Sequence, residues 1–146
     1  MNIKYEILEE KGLSSLLELY KQLNPDDNIL DERIIKNIWE NIKNQNIKYF
    51  IAKDNEKIIG SCYICIIPNL TRGGKSIGFI ENVITDIKYR GKGIGKIIME
   101  NAIKYAKENN CYKVILQSGN KRTDAHEFYK KLGFDGESKK AYEIRI

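Results

Sequence analysis

Between residues 83 and 96 the chain reads Val-Ile-Thr-Asp-Ile-Lys-Tyr-Arg-Gly-Lys-Gly-Ile-Gly-Lys. Directly after Arg90, the glycines Gly91, Gly93 and Gly95 alternate with Lys92, Ile94 and Lys96. Glycine allows a backbone to approach a ligand closely and to take conformations that other residues resist. The first amides of a helix have no partner within the helix, and the helix dipole adds positive potential at that end. A glycine-rich helix start flanked by Arg90, Lys92 and Lys96 therefore suits a phosphate group. The pattern lacks the P-loop signature, and Gly91-x-Gly93-x-Gly95 is not the G-x-G-x-x-G dinucleotide fingerprint. No acidic residue ends a following strand about 20 residues on, where a ribose would need one. Taken alone, the pattern fits a structural turn as well as a phosphate loop.

Two further residues have the chemistry of proton transfer. Glu81 interrupts the apolar run Ile-Gly-Phe-Ile-Glu-Asn-Val-Ile at 77–84. In a regular strand, Glu81 and Asn82 place one polar group on each face. A carboxylate within such a strand is costly unless it is paired or used. Glu81 is thus a candidate general base, with a structural salt bridge or a water chain as the alternatives. Tyr129 lies in Ala-His-Glu-Phe-Tyr-Lys-Lys-Leu-Gly-Phe at 125–134. Helical spacing puts it on one face with Ala125 and Leu132, which suits a core aromatic as well as a general acid.

These residues need elements to hold them. Residues 1–8 read as a strand, and 12–23 as a helix with Leu13, Leu16, Leu17, Tyr20 and Leu23 on one face. Pro25 to Asn28 makes a turn. Asp31 then caps a second helix whose buried face is Ile34, Ile35, Ile38, Trp39 and Ile42. Strands follow at 47–53, 57–67 and 77–86, the last two joined by a loop containing Gly73 and Gly74. The second half alternates: a helix at 93–109 with Ile94, Ile97, Ile98, Ala102, Tyr105 and Ala106 inward, a strand at 112–118, a helix capped by Thr123 and ended by Gly133, and a last strand at 141–146. The order β-α-α-β-β-β-α-β-α-β predicts an α/β fold of the α+β kind, a mixed sheet with helices on its faces. Residues 1–146 read as one domain.

With both motifs in place, the chain is identified as resembling the GNAT family of N-acetyltransferases. Arg90-x-x-Gly93-x-Gly95 after Val83-Ile84-Thr85 resembles that family's coenzyme A pyrophosphate loop, and 125–134 its A-x-x-F/L-Y-x-x-x-G-F motif. The two occur in the family's order and at its usual separation. The resemblance implies a central sheet that splays apart, with acetyl-CoA as co-substrate in the cleft and no metal. The backbone of Val83, Ile84 and Thr85 would face pantetheine and the acetyl carbonyl. Arg90, Gly91, Lys92, Gly93, Ile94, Gly95 and Lys96 would hold the pyrophosphate. Tyr129 resembles the tyrosine that protonates the departing thiolate, which supports the acid role. Glu81 would act directly or through water, since the strand at 114–118 carries no acid. Many members have an asparagine seven residues before the tyrosine; Arg122 stands there, and Asn120, two residues earlier, is the nearest substitute as a coenzyme contact. His126 is left out of the catalytic set, although its Ala-His-x-Phe-Tyr setting recurs in members acting on small amines. The strand at 111–116 also resembles glucosamine-6-phosphate acetyltransferases. The implied reaction is direct attack of a small primary amine on the thioester, with a peptide acceptor or a non-catalytic coenzyme A-binding module as alternatives. Many relatives are dimers, so a homodimer is an open expectation.

Composition narrows the alternatives. A net charge of +5 is spread along the chain without a basic run or an aromatic platform, which argues against nucleic acid as a partner. No apolar stretch approaches the roughly 20 residues of a membrane span, and residues 1–10 lack a signal-peptide core. A soluble cytoplasmic protein is expected. Cys62-x-x-Cys65 lies within a strand-like run and has no second cysteine pair, so neither zinc nor dithiol chemistry is expected of it.

Overall fold

The computed structural model describes residues 1–146. Its first compact unit, Met1–Ile115, contains the sheet and three of the four α-helices; a second unit covers Leu116–Ile146. The strands are β1 (Ile3–Ile7), β2 (Ile47–Asp54), β3 (Lys57–Ile67), β4 (Ser76–Thr85) and β5 (Cys111–Leu116). They lie in the order β1-β2-β3-β4-β5 in one mixed sheet. The pairs β1–β2, β2–β3 and β3–β4 are antiparallel, and helix α3 (Ile94–Glu108) connects β4 to β5.

Helices α1 (Leu13–Tyr20) and α2 (Glu32–Lys43) cover one face of this sheet. Leu16 and Leu19 of α1 and Trp39 of α2 bury themselves against Leu8, Ile51, Ile58 and Ile84. The other face packs on α3. A Cβ at Gly60 would lie 2.7 Å from Ile98 of α3, so glycine there lets α3 lie close to the strands. Ile94, Ile98, Met99, Ala102 and Ala106 form the buried side of α3. At about 25 cal/mol per Å² of apolar surface, each fully buried isoleucine contributes about 2 kcal/mol to holding these layers together.

Most expected elements form, with four local differences. The inward stripe of α2 is Ile35, Trp39 and Ile42, spaced at four and three residues. Ile34 and Ile38, one position round the helix, are 41% and 44% exposed. On α3, Ile97 is 38% exposed and Met99 takes the buried place. Thr123 is the first residue of α4 (Thr123–Lys131) rather than its cap; Arg122 precedes the helix without a side-chain capping bond. Residues 141–146 form no strand: Tyr142, Ile144 and Ile146 alternate as a strand would, but each is almost wholly exposed and no neighbouring strand pairs with the segment.

Candidate active site

The first unit assembles most of the predicted site along β4 and the turn into α3. Opposite Cys62 the β3–β4 register slips. Ser61 faces Ile84 and Tyr63 faces Glu81, so two residues of β4, Asn82 and Val83, oppose one of β3. This is a β-bulge, and Asn82 carries it with φ of 51° in the left-handed region. Asparagine is among the few non-glycine residues that enter that region readily.

The bulge overturns the expected alternation of polar groups. Glu81 stands beside Tyr63, whose ring stacks on Tyr49 at 4.9 Å. Tyr49 packs against the α1–α2 core. Burial raises the pKa of the Tyr20 phenol on α1, and the nearby Asn82 amide acts against that rise, which puts Asn82 on the α1 side. Glu81 and Asn82 therefore face the same side of the sheet, because the extra residue cancels the two-residue period. Glu81 is half-buried and makes no ion pair, which removes the structural salt bridge as its explanation. Burial, with Glu81 beside it, raises the pKa of the Tyr63 phenol. Burial and then Tyr63 push the Tyr49 phenol up to about 12. Both rings are therefore neutral hydroxyls at physiological pH.

Val83 and Thr85 are half-buried, while the Ile84 side chain belongs to the core, leaving its backbone as its only functional part. Arg90 Nε donates to the Thr85 carbonyl at 3.1 Å, which ties the glycine loop to the strand end. Gly91 and Gly93 adopt φ of 75° and 79°, and no atom lies within 4 Å of where a Cβ would sit. Gly93 is the N-cap of α3, and the first helical hydrogen bond runs from Ile97 N–H to Gly93 O at 3.3 Å. The amides of Ile94, Gly95 and Lys96 consequently have no partner within the helix. Lys92 sits 5.5 Å from the Tyr89 ring centre, and Lys96 reaches Glu100 at 3.7 Å. These amides, open glycines and exposed cations suit a diphosphate.

Asp86 was not singled out from the sequence, yet it organises this turn. Its carboxylate is buried, accepts from Lys88 N–H at 2.9 Å and pairs with Lys57 at 3.1 Å. Burial alone would raise its pKa; hydrogen bonding from Lys88 and Lys57 outweighs that and holds the carboxyl below its ordinary value. Its backbone bonds to Ile59 O at 2.8 Å and accepts from Tyr89 N–H at 2.8 Å. Tyr89 in turn donates its hydroxyl to Asp54 at 2.8 Å. A lone acid between an apolar strand and a glycine loop was the available signal, since aspartate commonly bonds the amide two residues on.

In the second unit, Tyr129 is buried on α4, edge-on to Phe128 at 5.3 Å and to Phe134 at 6.1 Å. Gly133 ends the helix with φ of 101° and lets Phe134 N–H return to Tyr129 O at 3.1 Å. Asn120 is exposed in the loop before α4. His126 Nε2 lies 2.8 Å from Gly119 O and pins that loop to the helix, which gives the histidine a structural task.

Cys62 is buried and Cys65 half-buried on β3; both are free thiols, and burial pushes Cys62 up to about 12. It is not a thiolate nucleophile at neutral pH. No group of three histidine, cysteine or acidic side chains is placed to hold a metal ion, and no helix is long and apolar enough to cross a membrane.

A glycine-lined helix start after a bulged strand, in a mixed sheet with helices on both faces, agrees with the fold that the GNAT resemblance implies. The Acetyltransferase (GNAT) family matches residues 13–134, and the chain belongs to that family. It is an acetyl-CoA-dependent acyltransferase. The chain is 36% identical over 136 residues to glucosamine 6-phosphate N-acetyltransferase of Trypanosoma brucei brucei, covering 92% of this chain and 90% of that one. It is 29% identical over 139 residues to glucosamine 6-phosphate N-acetyltransferase of Arabidopsis thaliana, covering 92% and 89%. Among solved structures, a Trypanosoma brucei acetyltransferase superimposes with a TM-score of 0.86 at 33% identity, covering 99% of each chain.

Proposed function

We propose that residues 1–146 act as one N-acetyltransferase domain that acetylates the primary amine of a small molecule, an amino sugar phosphate of the glucosamine 6-phosphate kind. The acceptor class is supported by the names of the relatives that match over about nine-tenths of the chain. A single domain is supported by a family match that runs through both compact units, and by the second unit's 31 residues (116–146), too few to sustain a core alone.

The observation that carries the donor side is the start of α3. Amides of Ile94, Gly95 and Lys96, backed by Arg90 and Lys92, would hold the pyrophosphate of acetyl-CoA, with the backbone of Val83, Ile84 and Thr85 along its pantetheine arm. Bound there, acetyl-CoA supplies an electrophilic thioester carbonyl and a thiolate leaving group. Glu81 takes a proton from the acceptor ammonium, directly or through water, and frees its lone pair for attack. Backbone N–H groups of β4 polarise the carbonyl. As the new C–N bond forms and the C–S bond breaks, Tyr129 gives its phenolic proton to the departing sulfur, and the second proton shed by the attacking nitrogen returns through water to restore the phenol. Binding mainly aligns the two reactants, which itself removes much of the barrier. The buried, protonated Cys62 thiol favours this direct attack over an acyl-enzyme.

Asn120 is proposed as a coenzyme contact from the loop before α4. A homodimer is also proposed; the exposed alternation of Tyr142, Ile144 and Ile146 supports it, and sedimentation would test it. The test of the function is a turnover screen with acetyl-CoA across amino sugar phosphates, polyamines, aminoglycosides, aminophosphonates and peptides. Turnover concentrated on glucosamine 6-phosphate is expected. Turnover confined to peptides would reject the acceptor class, and tight coenzyme binding without turnover would indicate a binding module.

A further inference from the structure

Beneath the β4 bulge, three polar side chains converge where packing alone would favour apolar ones. The Ser61 hydroxyl is fully buried, and the Tyr20 hydroxyl oxygen is shielded from solvent. Neither meets a protein partner at full hydrogen-bond geometry. The Asn82 amide and the Ser61 hydroxyl nevertheless lie close enough to the Tyr20 oxygen to favour its ionised form, against the burial that raises its pKa. The two hydroxyls are thus left without matched partners in the surrounding core. Buried polar groups in that condition are costly, and each calls for an explanation. Phenylalanine at 20 and alanine at 61 would keep most of the packing without the cost, and glycine at 82 would enter the left-handed region more easily.

We propose that Tyr20, Ser61 and Asn82 form a positioning set that locks the β4 bulge, so that Glu81 and the Val83 backbone are held in the orientation acetyl transfer needs. Glu81 immediately precedes Asn82 and Val83 immediately follows it. Rotation of Asn82 out of the left-handed region would turn both neighbours, since a strand that loses its extra residue moves every later side chain to the opposite face. Tyr20 packs from α1 against the core cluster that holds Ile84, and Ser61 borders the bulge from β3, opposite Ile84, so both hydroxyls flank Asn82. This inference rests on the roles given above to Glu81 and the β4 backbone.

Three variants test it: Tyr20→Phe, Ser61→Ala and Asn82→Gly. The last keeps the left-handed backbone while deleting the amide. Assays use acetyl-CoA with glucosamine 6-phosphate, or the most active amine of the screen. Tyr20→Phe and Asn82→Gly should each lower kcat about 10- to 100-fold, as displaced reactants do, with the KM for acetyl-CoA within about twofold of the parent. The double variant should be no worse than the poorer single one, because both break one linkage. Ser61→Ala should show a smaller loss in the same direction. Thermal unfolding identifies a variant that merely fails to fold. Folded Tyr20→Phe and Asn82→Gly proteins with parental kcat and pH profile would overturn the proposal. Glu81→Gln, assayed alongside, separates the readings: a parental profile there removes Glu81 as base, while slow Tyr20→Phe still reports a positioned backbone.

Discussion

Arg90 Nε donates to the Thr85 carbonyl at 3.1 Å, joining the last residue of β4 to the first residue of the glycine loop. That bond fixes where the strand stops and the anion-binding helix start begins. The consequences for ligand binding, chemistry and stability can be tested separately.

Gly93 stands at φ 79° with open space beyond its α-carbon, so conformation rather than crowding demands glycine. A left-handed β-branched residue costs about 1–2 kcal/mol. Gly93→Val should therefore melt a few degrees lower and bind acetyl-CoA at least about tenfold more weakly, since the helix start must rearrange and the new side chain enters the approach path. Calorimetric titration with acetyl-CoA measures this.

Tyr129→Phe keeps the ring contacts with Phe128 and Phe134 and removes only the hydroxyl. A lost general acid should lower kcat by about 10²–10⁴-fold while the affinity for acetyl-CoA stays near the parental value. Steady-state kinetics with unchanged kcat would reject the acid role.

Glu81→Gln leaves the acceptor to reach its neutral form unaided. The rate should fall most below the amine's own pKa, so the pH–rate profile should move to higher pH, with about 100-fold loss near neutrality shrinking in alkali. An identical profile would take Glu81 out of the mechanism.

Asp86 gives an acid-stability prediction. Its folded carboxyl lies below the ordinary value of 3.8, so its contribution is present above that value and is lost as pH falls through the depressed folded pKa. Asp86→Asn should lose about 1–3 kcal/mol at neutral pH, with the exposed Lys57 end of the pair screened, and should show a flatter decline in stability below about pH 4. Denaturant titrations across that range provide the check.

Periodicity made much of this fold legible. β3 begins and ends where the apolar run at 57–67 does, and α3 follows the pattern that opens at Gly93. The conformation of the glycine loop was readable because the left-handed backbone at positions 91 and 93 favours glycine. The bulge at Asn82 was not, since a two-residue alternation is the simplest reading of any strand and one extra residue leaves no mark on composition. The direction of Glu81 went with it. On α2, five apolar residues span a wider arc than the core covers, so Ile34 and Ile38 remain outside. At 141–146 the alternation is real, but a strand also requires a neighbour, and a sequence pattern carries no record of one.

The most direct measurement is isothermal titration of the purified protein with acetyl-CoA, repeated with the Gly93→Val variant. Saturable one-to-one binding in the micromolar range, weakened at least about tenfold by the substitution, is the predicted result. Absence of binding by the parent protein, or equal binding by both, would contradict a diphosphate held at the start of α3.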